Sequence, residues 1–266
     1  KQEIVTIERF IDKAKHIKED SKAKALLTAL EQSFAKLHDM GANRKALIFT
    51  ESTKTQSYLR EFLESNGYDG KVVLFNGKAS EPQTNDIYKR WCAEHADKVS
   101  GIKAADRRAA IVDYFQNDAE IMIATEAAAE GLNLQFCSLL INFDLPWNPQ
   151  RIEQRIGRCH RYGQKFDVVV VNFINTRNYA DVRVFELLSD KFKLFDDVFG
   201  ASDEVLGKAD NIDIENRIWE IYQQCRSEEE INSAFERLQA DMQKEIDQRM
   251  DEVRAEVMEH FDINVQ

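Results

Sequence analysis

The spacing of apolar residues along the chain predicts alternating helices and strands. Over Asp20–His38 apolar residues recur at steps of three and four, as on one face of an amphipathic helix, and Ser21 stands where a helix cap is expected. Gly41 ends this helix. The nearly continuous apolar run that follows, Lys45–Thr50, is typical of a strand buried on both faces of a parallel sheet.

The same alternation continues as far as Phe173. Helices are predicted at Thr53–Ser65, Ala104–Gln116 and Pro149–Gly157, and strands at Lys71–Phe75, Glu120–Ala124, Ser138–Phe143 and Asp167–Phe173. Strands and helices that alternate in this way are joined by right-handed crossovers. The predicted fold class is therefore α/β, with a doubly wound parallel sheet.

Two segments depart from this alternation. Residues 79–103 carry a proline, a tryptophan and many charges, and are predicted to be a helical insertion without visible chemistry. Helices are then expected at Tyr179–Phe195 and Ile212–Phe261. Residues 228–259 hold eleven acids, four bases and one narrow apolar stripe, which favours a helix packed on its own domain over a coiled-coil or partner-docking arm. The predicted parts are a lead-in at residues 1–20, a domain at 21–199 and an acidic helical appendage at 200–266.

Composition narrows the class of protein. With 266 residues, 43% of them hydrophobic, the chain is long enough to bury a core. A net charge of −11 argues against a module that holds nucleic acid by bulk electrostatics, so any DNA contact must be local. One local candidate exists, because residues 151–165 carry five bases and a single acid.

Other absences shape the expectations about location. The chain has no apolar run of bilayer length and begins with neither Met nor a signal region, so we expect a cytoplasmic fragment of a longer protein, without a membrane partner. The four cysteines are far apart and form no C-x-x-C pair, which favours reduced, packed thiols and no metal site.

The densest cluster of chemical groups is the segment Gln-Arg-Ile-Gly-Arg-Cys-His-Arg-Tyr-Gly-Gln at residues 154–164. On a helix Gln154, Arg158 and Arg161 share one face, whereas Arg155 is turned about 100° away and is expected to be dispensable for activity. Guanidiniums on one face repel each other unless they meet a polyphosphate or a phosphodiester. The alternative is a solvated basic helix face.

This segment resembles the sixth motif in the second RecA-like domain of superfamily-two helicases. Its ending, His160–Gln164, resembles the Swi/Snf-type translocases. Gly157 stands where many eukaryotic members carry Asp, and in this the chain is similar to bacterial RNA-polymerase-associated members. The resemblance implies that Arg158 and Arg161 are arginine fingers toward ATP and that Gln154 contacts the nucleotide.

Four further segments resemble segments of the same family. Ile123–Leu134 resembles the fifth motif, which implies that Thr125 contacts DNA and that Glu130 and Gly131 lie beside nucleotide; the alternative is an ordinary strand-to-helix loop. Leu47–Ser52 resembles the fourth motif, in which Thr50 and Ser52 either bind DNA phosphate or cap the next helix. Phe75–Gly77 resembles a segment on the DNA side, which makes Gly77 a nucleic-acid candidate. Asn142–Pro149 resembles the segment before the sixth motif, where Trp147 is interpreted as a packing anchor rather than a base-stacking residue.

No phosphate loop of the form G-x-x-x-x-G-K-S/T is found. The resemblance therefore implies that ATP and Mg²⁺ are held mainly by an N-terminal RecA-like domain of the same protein, outside this chain. The expected function is the second motor domain of an ATP-dependent double-stranded DNA translocase, inactive as an ATPase alone. The alternative is a regulatory or scaffolding nucleic-acid-binding domain without catalysis. The acidic appendage is a candidate surface for a protein partner.

Overall fold

The computed structural model describes residues 2–15, 20–76, 82–126, 131–160, 163–179, 181–186, 214–225 and 229–241, with residues 227 and 244. Its contacts divide the chain into two compact units. The first is Lys1–Leu145 with Glu153–Phe173, and the second is Pro146–Ile152 with Ile174–Gln266. The predicted boundary at residue 200 lies outside the described residues and stays a prediction.

A five-stranded sheet in the order β2-β3-β1-β4-β5 forms the centre of the first unit. All neighbouring strands are parallel. The predicted doubly wound α/β sheet is therefore confirmed. The strands are β1 Ala46–Phe49, β2 Val72–Phe75, β3 Ile121–Ala124, β4 Leu139–Asn142 and β5 Val169–Asn172.

The strands are apolar except for Asn142 and Asn172 at the ends of β4 and β5, because most of the sheet is covered on both faces. Along β1, Leu47 and Phe49 pack into one apolar cluster and Ala46 and Ile48 into the other. Each fully buried Leu or Ile contributes about 1.5–3 kcal/mol relative to an exposed one. The edge strand β5 is only half-buried.

Seven helices have defined limits among the described residues: α1 Gln2–Lys15, α2 Ser21–Asp39, α3 Thr53–Leu63, α4 Pro82–Glu94, α5 Lys103–Asn117, α6 Pro149–Cys159 and α7 Ile214–Gln224. Helices α2 and α3 pack on one sheet face, whereas α4 and α5 pack on the other. Within the predicted insertion, Ile87 and Trp91 of α4 are buried in the core, so this helix is part of the layer that covers the sheet.

The predicted cap of α2 was one residue out. Asp20 is the N-cap, with extended backbone, and its carboxylate accepts hydrogen bonds from the N–H groups of Lys22 at 2.9 Å and Ala23 at 3.2 Å. Ser21 already belongs to the helix. A cap needs non-helical backbone and a side-chain oxygen, and both residues satisfy the second requirement. The sequence alone did not distinguish them.

The second unit contains α7 and a further helical segment at residues 229–241. Trp147 stacks on Trp219 of α7, with ring centroids 6.3 Å apart, and Trp219 is 53% exposed. The interpretation of Trp147 as a packing anchor stays a prediction. The Tyr179 hydroxyl donates to Asn232 at 2.6 Å. Of the helix predicted at Tyr179–Phe195, Tyr179 and residues 181–186 are described, and they are helical. Of the helix predicted at Ile212–Phe261, most of the part after residue 241 lies outside the described residues.

No helix among the described residues is long and apolar enough to cross a membrane.

The apolar core should dominate the stability of the first unit. Phe115 of α5 is fully buried and meets Phe136 edge-on at 5.3 Å. We expect Phe115→Ala to lower the free energy of unfolding by about 3–5 kcal/mol, measured by denaturant titration. The control is Ile4→Ala on α1, where the side chain is 60% exposed and the change should stay within about 0.5 kcal/mol. Equal unfolding midpoints for the two variants would contradict this assignment of the core.

Candidate functional site

Polar side chains gather where three neighbouring strands end. Thr50 follows β1, Thr125 and Glu126 follow β3, and Asp144 follows β4 by two residues. Strands β3, β1 and β4 are adjacent and parallel, so their carboxyl ends lie along the same edge. Open α/β sheets bind their ligands at this edge. The topology of the sheet thus brings together the segments that resemble the fourth and fifth motifs.

Arg155 of α6 joins these strand ends. Its side chain is 2% exposed. Nη1 donates to Asn142 Oδ1 at 2.8 Å and to the Asp144 carbonyl at 2.9 Å, and Nη2 donates to Glu126 Oε2 at 2.8 Å. The guanidinium also lies over the Phe49 ring, 4.8 Å from its centroid. One side chain therefore connects α6 to the ends of β1, β3 and β4.

Asp144 makes a second group of contacts at the carboxyl ends of the strands. Its Oδ2 accepts from the Thr50 hydroxyl at 2.6 Å and from the Glu51 N–H at 3.2 Å, and its Oδ1 pairs with Lys22 Nζ at 3.1 Å. Lys22 Nζ also lies over the Phe143 ring, 4.1 Å from its centroid. Thr50 is fully buried. Its hydroxyl hydrogen is donated to Asp144 and not to a ligand, so this geometry does not support the predicted phosphate contact by Thr50.

The surroundings of Asp144 favour its charged form. Burial alone raises the pKa of Asp144, but the hydrogen bond from Thr50, the charge and hydrogen bond of Lys22 and the Glu51 N–H outweigh it, so the pKa is lowered. Asp144 is thus a carboxylate at neutral pH, and Lys22 offsets its charge at the edge.

Ser52 has the capping role that the sequence left open. It is the N-cap of α3 and accepts from the N–H groups of Lys54 at 3.2 Å and Thr55 at 3.5 Å. Further along α3, the buried Gln56 donates to the Ile123 carbonyl at 2.6 Å and accepts from Asn76 at 3.0 Å. These bonds fix the start of α3 and the end of β2 to β3.

Thr125 and Gly131 lie within the segment that resembles the fifth motif. The Thr125 N–H donates to the Phe75 carbonyl at 3.1 Å, which continues the sheet ladder, and its side chain is 9% exposed. Gly131 has a φ of +77°, a backbone conformation that side-chain-bearing residues rarely adopt. Two other predicted site residues, Gly77 and Glu130, lie outside the described residues.

The helix of the sixth-motif segment also carries Arg158. Within the described residues, no hydrogen bond or ion pair holds the half-buried side chain of Arg158, and Gln154 one turn earlier is exposed. Helix α6 spans Pro149–Cys159, so Gln154 and Arg158 lie on one face of it, as expected. Arg161 lies two residues past Cys159 and outside the described residues.

The comparisons with known proteins agree with these motifs. Residues 58–163 match the model of the helicase conserved C-terminal domain. The chain contains a helicase C-terminal domain. The uncharacterized ATP-dependent helicase YqhH of Bacillus subtilis is 36% identical over 70% of this chain and 27% of its own length. The RNA polymerase-associated protein RapA of Pectobacterium atrosepticum is 41% identical over 51% of this chain and 15% of its own length.

The resemblance to superfamily-two helicases, and to the bacterial RNA-polymerase-associated members, is thereby confirmed. Among solved structures, the C-terminal part of the Fun30 ATPase domain is 24% identical, with a TM-score of 0.46 over 64% of this chain and 46% of that one. The chain spans about a quarter or less of the length of these two curated relatives.

Sequence reasoning missed the residues that hold this helicase domain's site together. Arg155 was expected to be dispensable because it is turned off the shared face, yet the direction in which it turns is toward the sheet. Glu126, Asp144 and Gln56 were not singled out. A carboxylate two positions after an apolar strand was the only available signal, and it applies to Glu126 and Asp144.

Two thiols of the helicase domain are packed as predicted. Cys137 and Cys159 are free and fully buried. A hydrogen bond with Cys137, together with burial, raises the pKa of Cys159 well above its usual value. The thiol therefore stays protonated and unreactive at neutral pH.

Arg155→Ala should destabilise the helicase domain. The substitution leaves Asn142 and the Asp144 carbonyl without a donor and Glu126 without its counter-charge, so we expect a loss of about 2–4 kcal/mol in the free energy of unfolding. Gln154→Ala, on the exposed neighbour, should change it by less than about 0.5 kcal/mol. Chemical denaturation of both variants measures the difference. An Arg155→Ala chain as stable as wild type would refute the role of this network.

The stability of the domain should depend on Asp144 at acidic pH. Because the folded pKa is lowered, the advantage of wild type over Asp144→Asn is complete above the unfolded carboxyl pKa of about 3.9, and it disappears as pH falls through the lower folded value. Unfolding midpoints measured from pH 7 to pH 3 check this. Asp86→Asn, at an exposed ion pair, is the control and should follow wild type. Identical pH profiles for Asp144→Asn and wild type would contradict the expectation.

Proposed function

We propose that this chain is the second motor domain of an ATP-driven translocase on double-stranded DNA. In the intact protein, ATP and Mg²⁺ are held mainly by a first RecA-like domain, and Arg158 and Arg161 reach across the cleft toward the γ-phosphate. A permanent positive charge at that position stabilises the charge that shifts as the phosphoryl group leaves. The confirmed helicase C-terminal domain and its ATP-dependent relatives support this proposal.

The single observation that carries the proposal is the contrast between two arginines on one helix. Arg155 is buried and uses both terminal nitrogens in hydrogen bonds, whereas Arg158, three residues later, makes no hydrogen bond or ion pair with the described residues. A guanidinium offers a planar fork of donors that suits phosphate oxygens. Arg158 is therefore available to an anion from outside this domain, and Arg155 holds the helix that presents it.

The DNA side of the proposal lies at the carboxyl ends of the strands. Ser52 and Thr125 remain the hydroxyl donors for the phosphate backbone, together with Gly77. Thr50 contributes indirectly, because its hydroxyl fixes Asp144 and thereby the end of β4. Gln154, Glu130 and Gly131 are assigned to the nucleotide side. Opening and closing of the cleft with nucleotide state would move this grip along the duplex.

The remaining proposals concern the setting of the protein. We assign it to the cytoplasm, with the acidic appendage at residues 200–266 as a candidate surface for a protein partner. The alternative of a regulatory or scaffolding domain differs in one measurable way, because it predicts no stimulation of ATP turnover by duplex DNA.

Arg158→Ala, made in the intact protein, tests the assignment. We expect ATP turnover to fall by about 10³- to 10⁵-fold, because the variant lacks the charge that stabilises the transferring phosphoryl group. Arg161→Ala should behave in the same way. Arg158→Lys should restore little, since Lys keeps the charge but loses the two-pronged geometry. Turnover with saturating duplex DNA and the DNA affinity are measured together, and the affinity should change little.

The matched control is Arg108→Ala, which removes an exposed arginine from α5 and should leave turnover unchanged. Near-normal turnover in Arg158→Ala would remove the main support for the proposal. Turnover by the 266-residue chain alone, well above a buffer blank, would contradict the assignment of ATP to another domain.

A further inference from the structure

The ion pair between Arg155 and Glu126 spans the two halves of the proposed site. Glu126 directly follows Thr125, which is assigned to DNA, and Arg155 lies three residues before Arg158, which is assigned to ATP. Arg155 Nη2 and Glu126 Oε2 are 2.8 Å apart. The ion pair is therefore a direct contact between the segment assigned to DNA and the helix assigned to ATP.

The two ends of this pair are held unequally. Arg155 is 2% exposed and keeps two hydrogen bonds, to Asn142 and to the Asp144 carbonyl, that do not involve Glu126. The Glu126 side chain is 31% exposed and, within the described residues, its carboxylate accepts a hydrogen bond only from Arg155. A partly solvated carboxylate can leave its partner at a lower cost than a buried guanidinium can. Glu126 is thus the end that is able to move.

We infer that the Glu126–Arg155 pair couples DNA binding to the placement of the arginine finger. DNA bound at Thr125 fixes the adjacent Glu126, Glu126 then fixes Arg155 and α6, and α6 holds Arg158 in position for ATP. Both members of the pair are positioning residues. The inference rests on the proposed function and adds the path by which DNA stimulates ATP turnover.

A purely structural role for the pair predicts a different result. If the pair only stabilises the fold, its loss lowers the melting temperature and affects turnover with and without DNA by the same factor. If the pair couples the two sides, its loss lowers the ratio of turnover with duplex DNA to turnover without it. A coupling between two sites is typically worth a factor of about 5 to 150.

The experiment measures this stimulation ratio in the intact protein carrying Glu126→Gln. We expect the ratio to fall at least about fivefold relative to wild type. The matched control is Glu120→Gln, the same substitution at the opposite end of β3. Glu120 is 25% exposed and pairs with Arg44 at 2.9 Å and with Lys71 at 3.9 Å, so it resembles Glu126 in exposure and in pairing with a base, but it lies away from the site. Its ratio should equal that of wild type.

A double substitution tests whether the two residues act as one unit. Arg155→Lys keeps the charge and cannot span the same set of acceptors, so its ratio should also fall. The Arg155→Lys and Glu126→Gln double variant should fall no further than the more affected single variant. If Glu126→Gln does not fold at the assay temperature, Glu126→Asp is measured in its place, with the same expected loss, because its carboxylate is one methylene too short.

The outcomes separate this inference from the function on which it rests. A wild-type protein whose turnover does not respond to duplex DNA overturns the proposed function itself. A wild-type protein that is stimulated, with Glu126→Gln or Glu126→Asp stimulated to the same extent, overturns the coupling and leaves the function standing. Equal losses of the stimulation ratio in Glu126→Gln and Glu120→Gln also overturn the coupling, because the loss would then not be specific to the residue beside the site.

Discussion

The buried guanidinium of Arg155 is the interaction on which the arrangement of the site depends. A charged group in the interior needs hydrogen-bond acceptors, and here they come from three different places: Asn142, the Asp144 carbonyl and Glu126. They satisfy the two terminal nitrogens, whereas the buried Nε has no hydrogen-bond partner among the described residues. The bonds of the two terminal nitrogens fix α6 relative to the ends of β3 and β4. The same helix carries Arg158, so the burial of Arg155 also fixes the backbone that carries Arg158.

The parallel sheet supplies the frame for this network. Strands β1 to β4 are short and apolar, and their one polar residue is Asn142, the last residue of β4. Polar groups therefore accumulate at one edge, where the strands β3, β1 and β4 stop side by side. At this edge Asp144 holds Thr50 and Lys22, and Gln56 ties α3 to β3. These hydrogen bonds hold the strand ends from which the motif-bearing loops begin.

The sequence was informative where one periodicity dominated. Short apolar runs such as Leu47–Phe49 suit a strand that is covered on both faces, and the parallel sheet followed from their alternation with helices. The burial of Arg155 was not predictable in the same way. A cluster of bases looks identical whether its members meet water, phosphate or a buried carboxylate, and the partner Glu126 is remote in sequence. Likewise, the end of α6 at Cys159 depends on local backbone geometry, which the helical spacing of the motif did not reveal.

The pairing of Lys22 with Asp144 has a consequence for how ionic strength acts on this domain. It leaves the carboxyl ends of the strands with hydroxyl groups and with a lysine and a carboxylate whose charges compensate each other. Only the cations that replace condensed counterions make nucleic-acid affinity fall steeply with salt. If this edge grips a phosphate backbone as proposed, its contribution to affinity varies little with salt. The salt sensitivity of the whole motor then reports mainly on cationic contacts elsewhere in the protein.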